Sequence, residues 1–78
     1  MNWRDHIETN PQVMGGKPVI RDTRITVEII LDWLAAGWDE AEIFANYPRL
    51  TPEALKAVFA FARELVSEQL YAVAPKAA

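Results

Sequence analysis

Gly15-Gly16-Lys17-Pro18-Val19-Ile20-Arg21-Asp22-Thr23-Arg24-Ile25-Thr26-Val27-Glu28-Ile29-Ile30-Leu31-Asp32-Trp33-Leu34 is the stretch in which the chain changes its period. Before Thr26, glycine, proline and short β-favouring pieces alternate. Val19-Ile20 and Ile25-Thr26-Val27 flank the tight polar link Arg21-Asp22-Thr23-Arg24, and this pattern predicts a β-hairpin. Asp22 falls where such a link needs positive φ, which Asp tolerates better than most residues. After Thr26 the apolar residues Val27, Ile30, Leu31 and Leu34 recur at i, i+3, i+4 and i+7, one face of a helix. Ile29 and Trp33 add a second stripe to it.

Working outward toward the C-terminus, Thr26 caps a helix from Val27 to Ala36, with Gly37 just past its end. Asp39 and Glu42 form a capping-box pattern for a short second helix, which Tyr47-Pro48 stops near Asn46. Thr51, Pro52 and Glu53 suit the first turn of a third helix running to about Tyr71. Its expected inward residues are Leu55, Val58, Phe59, Ala62, Leu65, Val66 and Leu70, with Ala54, Ala57 and Phe61 as a second strip. Ala72 to Ala78 has no periodicity and is expected to fray. Toward the N-terminus, Asn10-Pro11 and Gly15-Gly16-Lys17-Pro18 mark turns, and Ile7-Glu8-Thr9 is a candidate third strand. The predicted fold is mostly α: a tri-helical helix-turn-helix bundle (residues 27–71) with a short N-terminal β-hairpin arm (1–26) and a tail (72–78), one domain in all.

The 78 residues are 51% apolar and 24% charged, a globular composition. With no cysteine, neither a disulfide framework nor a thiolate metal site is available, which fits a reducing cytoplasm. No apolar stretch reaches the ~20 residues that span a membrane, and the N-terminus lacks a signal-peptide pattern. A soluble cytoplasmic protein is expected. The net charge of −3 is uneven. Residues 1–26 carry a net +1 and residues 27–78 a net −4, so affinity for nucleic acid would need a local basic patch.

The run from Pro11 to Val27 resembles the signature of domain-of-unknown-function family 433, roughly P-x-V-x-G-G-K-P-x-I-x-G-T-R-I-x-V. Leu34 to Ile43 and Tyr47-Pro48-Arg49-Leu50-Thr51 resemble its later stretches, so the resemblance spans residues 6 to about 70. It implies a homeodomain-like helix-turn-helix with an N-terminal β-arm, and an antitoxin-like role beside a PIN-like ribonuclease toxin. One departure stands out: Asp22 occupies the position where the family usually has Gly.

Candidate functional residues follow from charge and exposure. Arg4, Lys17, Arg21 and Arg24 make the basic cluster of the arm. It can contact DNA phosphates, present a guanidinium fork to a toxin's acidic active site, or pair internally with Asp22, Asp5 or Glu28. Gly15-Gly16-Lys17-Pro18 resembles part of a phosphate loop, but Pro18 stands where Ser or Thr and a helix are required. Gly15, Gly16, Pro18, Asp22 and Thr23 are therefore read as turn residues. Thr51, Glu53 and Lys56 line the first turn of the third helix, the nominal recognition helix. Lys56 is a candidate contact, while Glu53 opposes phosphate. The surplus of aromatic residues and the two-sided apolar helices suggest a homodimer, with Trp3, Ile29, Trp33 and Phe61 as interface candidates.

The lone His6 has no partner set for a metal, and Ser67 has no histidine at triad spacing. Glu64 and Glu68 read as a solvated face. Neither catalysis nor a cofactor is expected. The expected role is that of an antitoxin-like binding protein, with possible autoregulatory DNA binding. A free-standing helix-turn-helix regulator and a structural dimerisation module are the alternatives.

Overall fold

The computed structural model describes residues 1–68. The expected end of the third helix near Tyr71 and the tail 72–78 lie outside them. Two short antiparallel strands, β1 (Ile7–Glu8) and β2 (Val19–Ile20), precede three helices, α1 (Val27–Ala35), α2 (Glu40–Asn46) and α3 (Pro52–Glu68). The tri-helical bundle with its N-terminal two-stranded hairpin matches the predicted fold class.

The partner of β2 differs from the sequence expectation. Ile7 faces Ile20 and Glu8 faces Val19, so the candidate third strand is the true partner. Ile25-Thr26-Val27 contributes only an isolated bridge, Val19 to Thr26. The reason is local: Thr26 is already committed to capping. Its hydroxyl accepts from the Ile29 N–H at 3.0 Å, and α1 begins one residue later. The link between the two pieces is nonetheless a tight turn. Thr23 Oγ1 donates to the Ile20 carbonyl at 2.8 Å and accepts from the Ile25 N–H at 3.0 Å. Asp22 has φ 61°, the left-handed conformation expected of it.

Gly15-Gly16 forms a tight turn with both glycines at positive φ. Met14, Gly15 and Gly16 all have positive φ, at 49°, 67° and 84°. Two glycines make this run affordable, and Met14 takes the remaining strain. Asp22→Gly, which restores the family's residue, is expected to leave stability unchanged or raise it by up to about 1 kcal/mol, because glycine reaches φ 61° without a Cβ penalty. A chemical-denaturation midpoint checks this. A clear loss would mean that the Asp22 side chain, and not its backbone, holds the turn.

The helix boundaries follow their caps. Asp39 and Glu42 make the full capping box, at 2.8 and 3.1 Å. Thr51 Oγ1 accepts from the Ala54 N–H at 3.1 Å. At the end of α1, Gly37 (φ 97°) allows a Schellman turn. The Trp38 N–H reaches the Trp33 carbonyl at 3.0 Å, and the Gly37 N–H reaches that of Leu34 at 3.1 Å.

The core gathers one residue from each strand, two from α1, one from α2, one from the loop before α3 and four from α3: Ile7, Ile20, Val27, Ile30, Ile43, Leu50, Ala54, Leu55, Ala57 and Val58. The inward face of α3 is therefore the Ala54, Leu55, Ala57, Val58 strip. Phe59, Leu65 and Val66, expected inside, are exposed, and so is Leu31 of α1. Among the described residues these side chains are only partly covered.

Candidate functional site

The four arm cations face different fates. Lys17 Nζ donates to Glu28 Oε1 at 2.9 Å on the α1 surface. That hydrogen bond and the Glu28 charge push the amine above its ordinary value. What the pair contributes is present at neutral pH and is lost only as pH rises through the raised pKa. Arg21 is used twice. It pairs with Glu8 at 3.0 Å across the two strands and donates to the Arg4 carbonyl at 3.0 Å, tying the first turn of the chain to β2. Arg4 lies over the Trp3 ring, 4.2 Å from its centroid, and approaches Glu64 at 3.8 Å. Three of the four cations are thus paired internally, mostly to carboxylates other than those expected.

Arg24 is the exception. It is exposed and makes no hydrogen bond or ion pair among the described residues. It follows the positive-φ turn and stands in a shallow hollow with Met14, Lys17, Thr26, Glu28, Ile29 and Asp32. Met14 and Ile29 are both exposed there. A free guanidinium next to exposed apolar side chains is suited to a carboxylate on another molecule.

Arg49 was not singled out from the sequence. Its Nη2 donates to the Asp22 carbonyl at 2.7 Å and so fixes the Arg21–Arg24 turn from the loop after α2. No short-range pattern links these positions, which are far apart in the chain.

Lys56 lies apart from the arm, in a small hollow with Glu40, Pro52, Leu55 and Phe59. It too makes no ion pair among the described residues. On the first turn of α3, the Thr51 hydroxyl is spent on capping and Glu53 is exposed beside it. That leaves Lys56 as the turn's free cation.

The dimer candidates divide. Trp3 Nε1 donates to Glu64 Oε2 at 2.6 Å, and its ring meets Phe61 edge-on at 4.7 Å. Glu64 thus anchors the arm to α3, where the sequence suggested only a solvated face. Trp33 stacks with both Trp38 and Tyr47. Trp3 and Trp33 are therefore occupied within the chain. Phe61 lines a surface groove, and Ile29 is exposed.

His6 is half-buried just before β1, and Ser67 Oγ donates to the Glu64 carbonyl at 3.0 Å. Among the described residues, no three His, Asp or Glu side chains converge as metal ligands. No described helix is long and apolar enough to cross a membrane.

A two-stranded arm, a capped α1, a short α2 and a long α3 define a small tri-helical domain of helix-turn-helix type, carrying a turn whose Arg24 is unpaired among the described residues. Comparison with known proteins makes this more particular. The chain belongs to the family described as protein of unknown function (DUF433), whose profile matches residues 7–62. It is similar to a crystal structure of a DUF433 member protein from Anabaena variabilis ATCC 29413, with 34% identity and a TM-score of 0.76. That match covers 83% of this chain and 64% of the Anabaena chain, so the protein spans less than two thirds of its solved relative. No curated protein matches.

Proposed function

We propose that the protein is an antitoxin-like binding subunit that neutralises a PIN-like ribonuclease by covering it, with Arg24 entering the nuclease's carboxylate-lined cleft. One observation carries the reading: of the four arm cations, Arg24 alone makes no hydrogen bond or ion pair among the described residues, and it stands beside exposed Met14 and Ile29. Chemical fit adds support. A guanidinium offers a planar fork to clustered carboxylates, and such contacts gain strength once water is excluded. The resemblance to family 433 supplies the class of partner. Direct recognition of DNA by α3 has less support, because its first turn offers Glu53 and a hydroxyl already bonded to the backbone. In this reading the protein performs no catalysis of its own.

The test is co-expression with the product of a neighbouring PIN-like gene, followed by affinity measurement and a nuclease-inhibition assay. Arg24→Ala is expected to weaken binding about a hundredfold, the scale of an interface hot spot, and to leave the melting temperature unchanged. Arg21→Ala is expected to lower stability slightly and to affect binding much less. Wild-type affinity in the Arg24 variant, or failure of the two proteins to associate, ends the proposal.

A further inference from the structure

Arg24 lines two hollows. One is the hollow it shares with Met14 and Ile29. The other, of about 470 Å³, is lined by Arg24 from the turn and by Arg49 from the loop after α2. Half-buried Val13 and Ile25 give this second hollow apolar walls, and Glu8 and Asp22 are its remaining charged residues.

Arg49 is held in place but not neutralised. Its Nη2 donates to the Asp22 carbonyl at 2.7 Å. A carbonyl satisfies one donor of a guanidinium, leaves the others open, and cancels no charge. Arg49 is exposed and makes no ion pair among the described residues. Because the bond fixes the guanidinium before any ligand arrives, less side-chain freedom is lost on binding. Arg24 is carried by the same turn, which Thr23 closes through its bonds to Ile20 and Ile25.

The acids in the hollow do not cancel the two arginines. Glu8 is met by Arg21 at 3.0 Å. Asp22 makes no ion pair among the described residues. Two guanidinium groups therefore stand against one uncompensated carboxylate, a surplus of a single positive charge. That surplus suits one compact acidic group. A nucleic-acid backbone draws on several cations at once, and here it would also meet Asp22. We infer that Arg24 and Arg49 form one carboxylate-binding hollow, in which an acidic side chain of a protein partner seats between the two guanidinium groups. Resting on the reading of Arg24 as a docking residue, this makes Arg49 a second contact and carries the partner's footprint from the turn to the loop after α2.

Titration of the full chain with acetylated hexa-aspartate, read at the arginine Nε–Hε resonances by NMR, tests this. Arg24 and Arg49 are expected to shift together with one dissociation constant, while Arg21, already paired with Glu8, stays in place. Arg49→Gln removes the charge but keeps an amide donor for the Asp22 carbonyl, and circular dichroism checks its fold. It is expected to weaken peptide binding about tenfold, the scale of losing one charged contact. A role confined to holding the turn predicts no further loss when Arg49→Gln is added to Arg24→Ala; direct contact predicts a further loss. Peptide shifts at Arg24 alone, or a double variant that binds like Arg24→Ala, overturn the inference. A duplex oligonucleotide that binds at the same two resonances as tightly as the peptide also overturns it. Failure of the PIN-like nuclease to associate, with both arginines still shifting on peptide, would sink the choice of partner and support the hollow. A nuclease that senses Arg24→Ala but not Arg49→Gln would sink the hollow and leave the choice of partner standing.

Discussion

Ile30→Ala is expected to destabilise the protein by about 3–4 kcal/mol, the middle of the range for truncating a buried branched side chain. Ile30 is fully buried and shares the core with Ile7 and Ile20 of the arm, Ile43 of α2, and Leu55 and Val58 of α3. The cluster draws on the arm and all three helices, and among the described residues no second core exists to absorb the loss. The total stability of a domain this size is about 4–12 kcal/mol, so one cavity removes a large fraction of it. The melting temperature should fall by about 15–25 °C, because each kcal/mol shifts a domain of this length by several degrees. Ile30→Val removes a single methylene and should cost about 1 kcal/mol. Thermal and urea melts of the two variants give the comparison. An alanine variant within about 1 kcal/mol of wild type would mean that the site collapses freely and that the core is not close-packed there.

What the sequence made legible was mostly local. Thr26, the Asp39–Glu42 pair and Thr51-Pro52 set helix starts through bonds spanning three residues, so their chemistry can be read from short windows. Asp22 was legible for the same reason, since its positive φ is a property of one tight turn. The strand pairing was not. Ile20 had two candidate partners, and the choice of Ile7 depends on the whole arm folding back on itself. Helical periodicity identified a repeating apolar pattern in α3 but not which part of it finds a neighbour, so Phe59, Leu65 and Val66 were misplaced inside. The candidate site shows the same division. Composition marked the arm as basic, yet Arg21 and Arg24 look equivalent in sequence. Only the strand register, which brings Glu8 within 3.0 Å of Arg21, separates the occupied cation from the free one. Arg49 escaped notice because its bond to Asp22 joins two loops distant along the chain.

Trp33→Ala is expected to cost about 2–4 kcal/mol, somewhat less than truncating a fully buried tryptophan because the side chain is only half-buried. Trp33 stacks on Tyr47 with ring centroids 4.2 Å apart and planes 18° apart, and on Trp38 at 5.7 Å and 14°. Each aromatic pair adds about 0.5–1.5 kcal/mol beyond burial. The Trp38 contact is also the apolar partner of the Schellman turn that ends α1, while Tyr47 caps the end of α2. One ring therefore holds the end of α1, the α1–α2 turn and the end of α2 together. Its removal should lower the melting temperature by about 10–20 °C and abolish the near-ultraviolet circular dichroism of the stacked rings. Trp33→Phe should recover part of both. Because the stack lies within one chain, the loss should be the same at every protein concentration. An interface role predicts the opposite, a deficit that shrinks as concentration rises and mass action restores the dimer. Melts across a wide concentration range decide between the two, and a concentration-dependent deficit would return Trp33 to the interface.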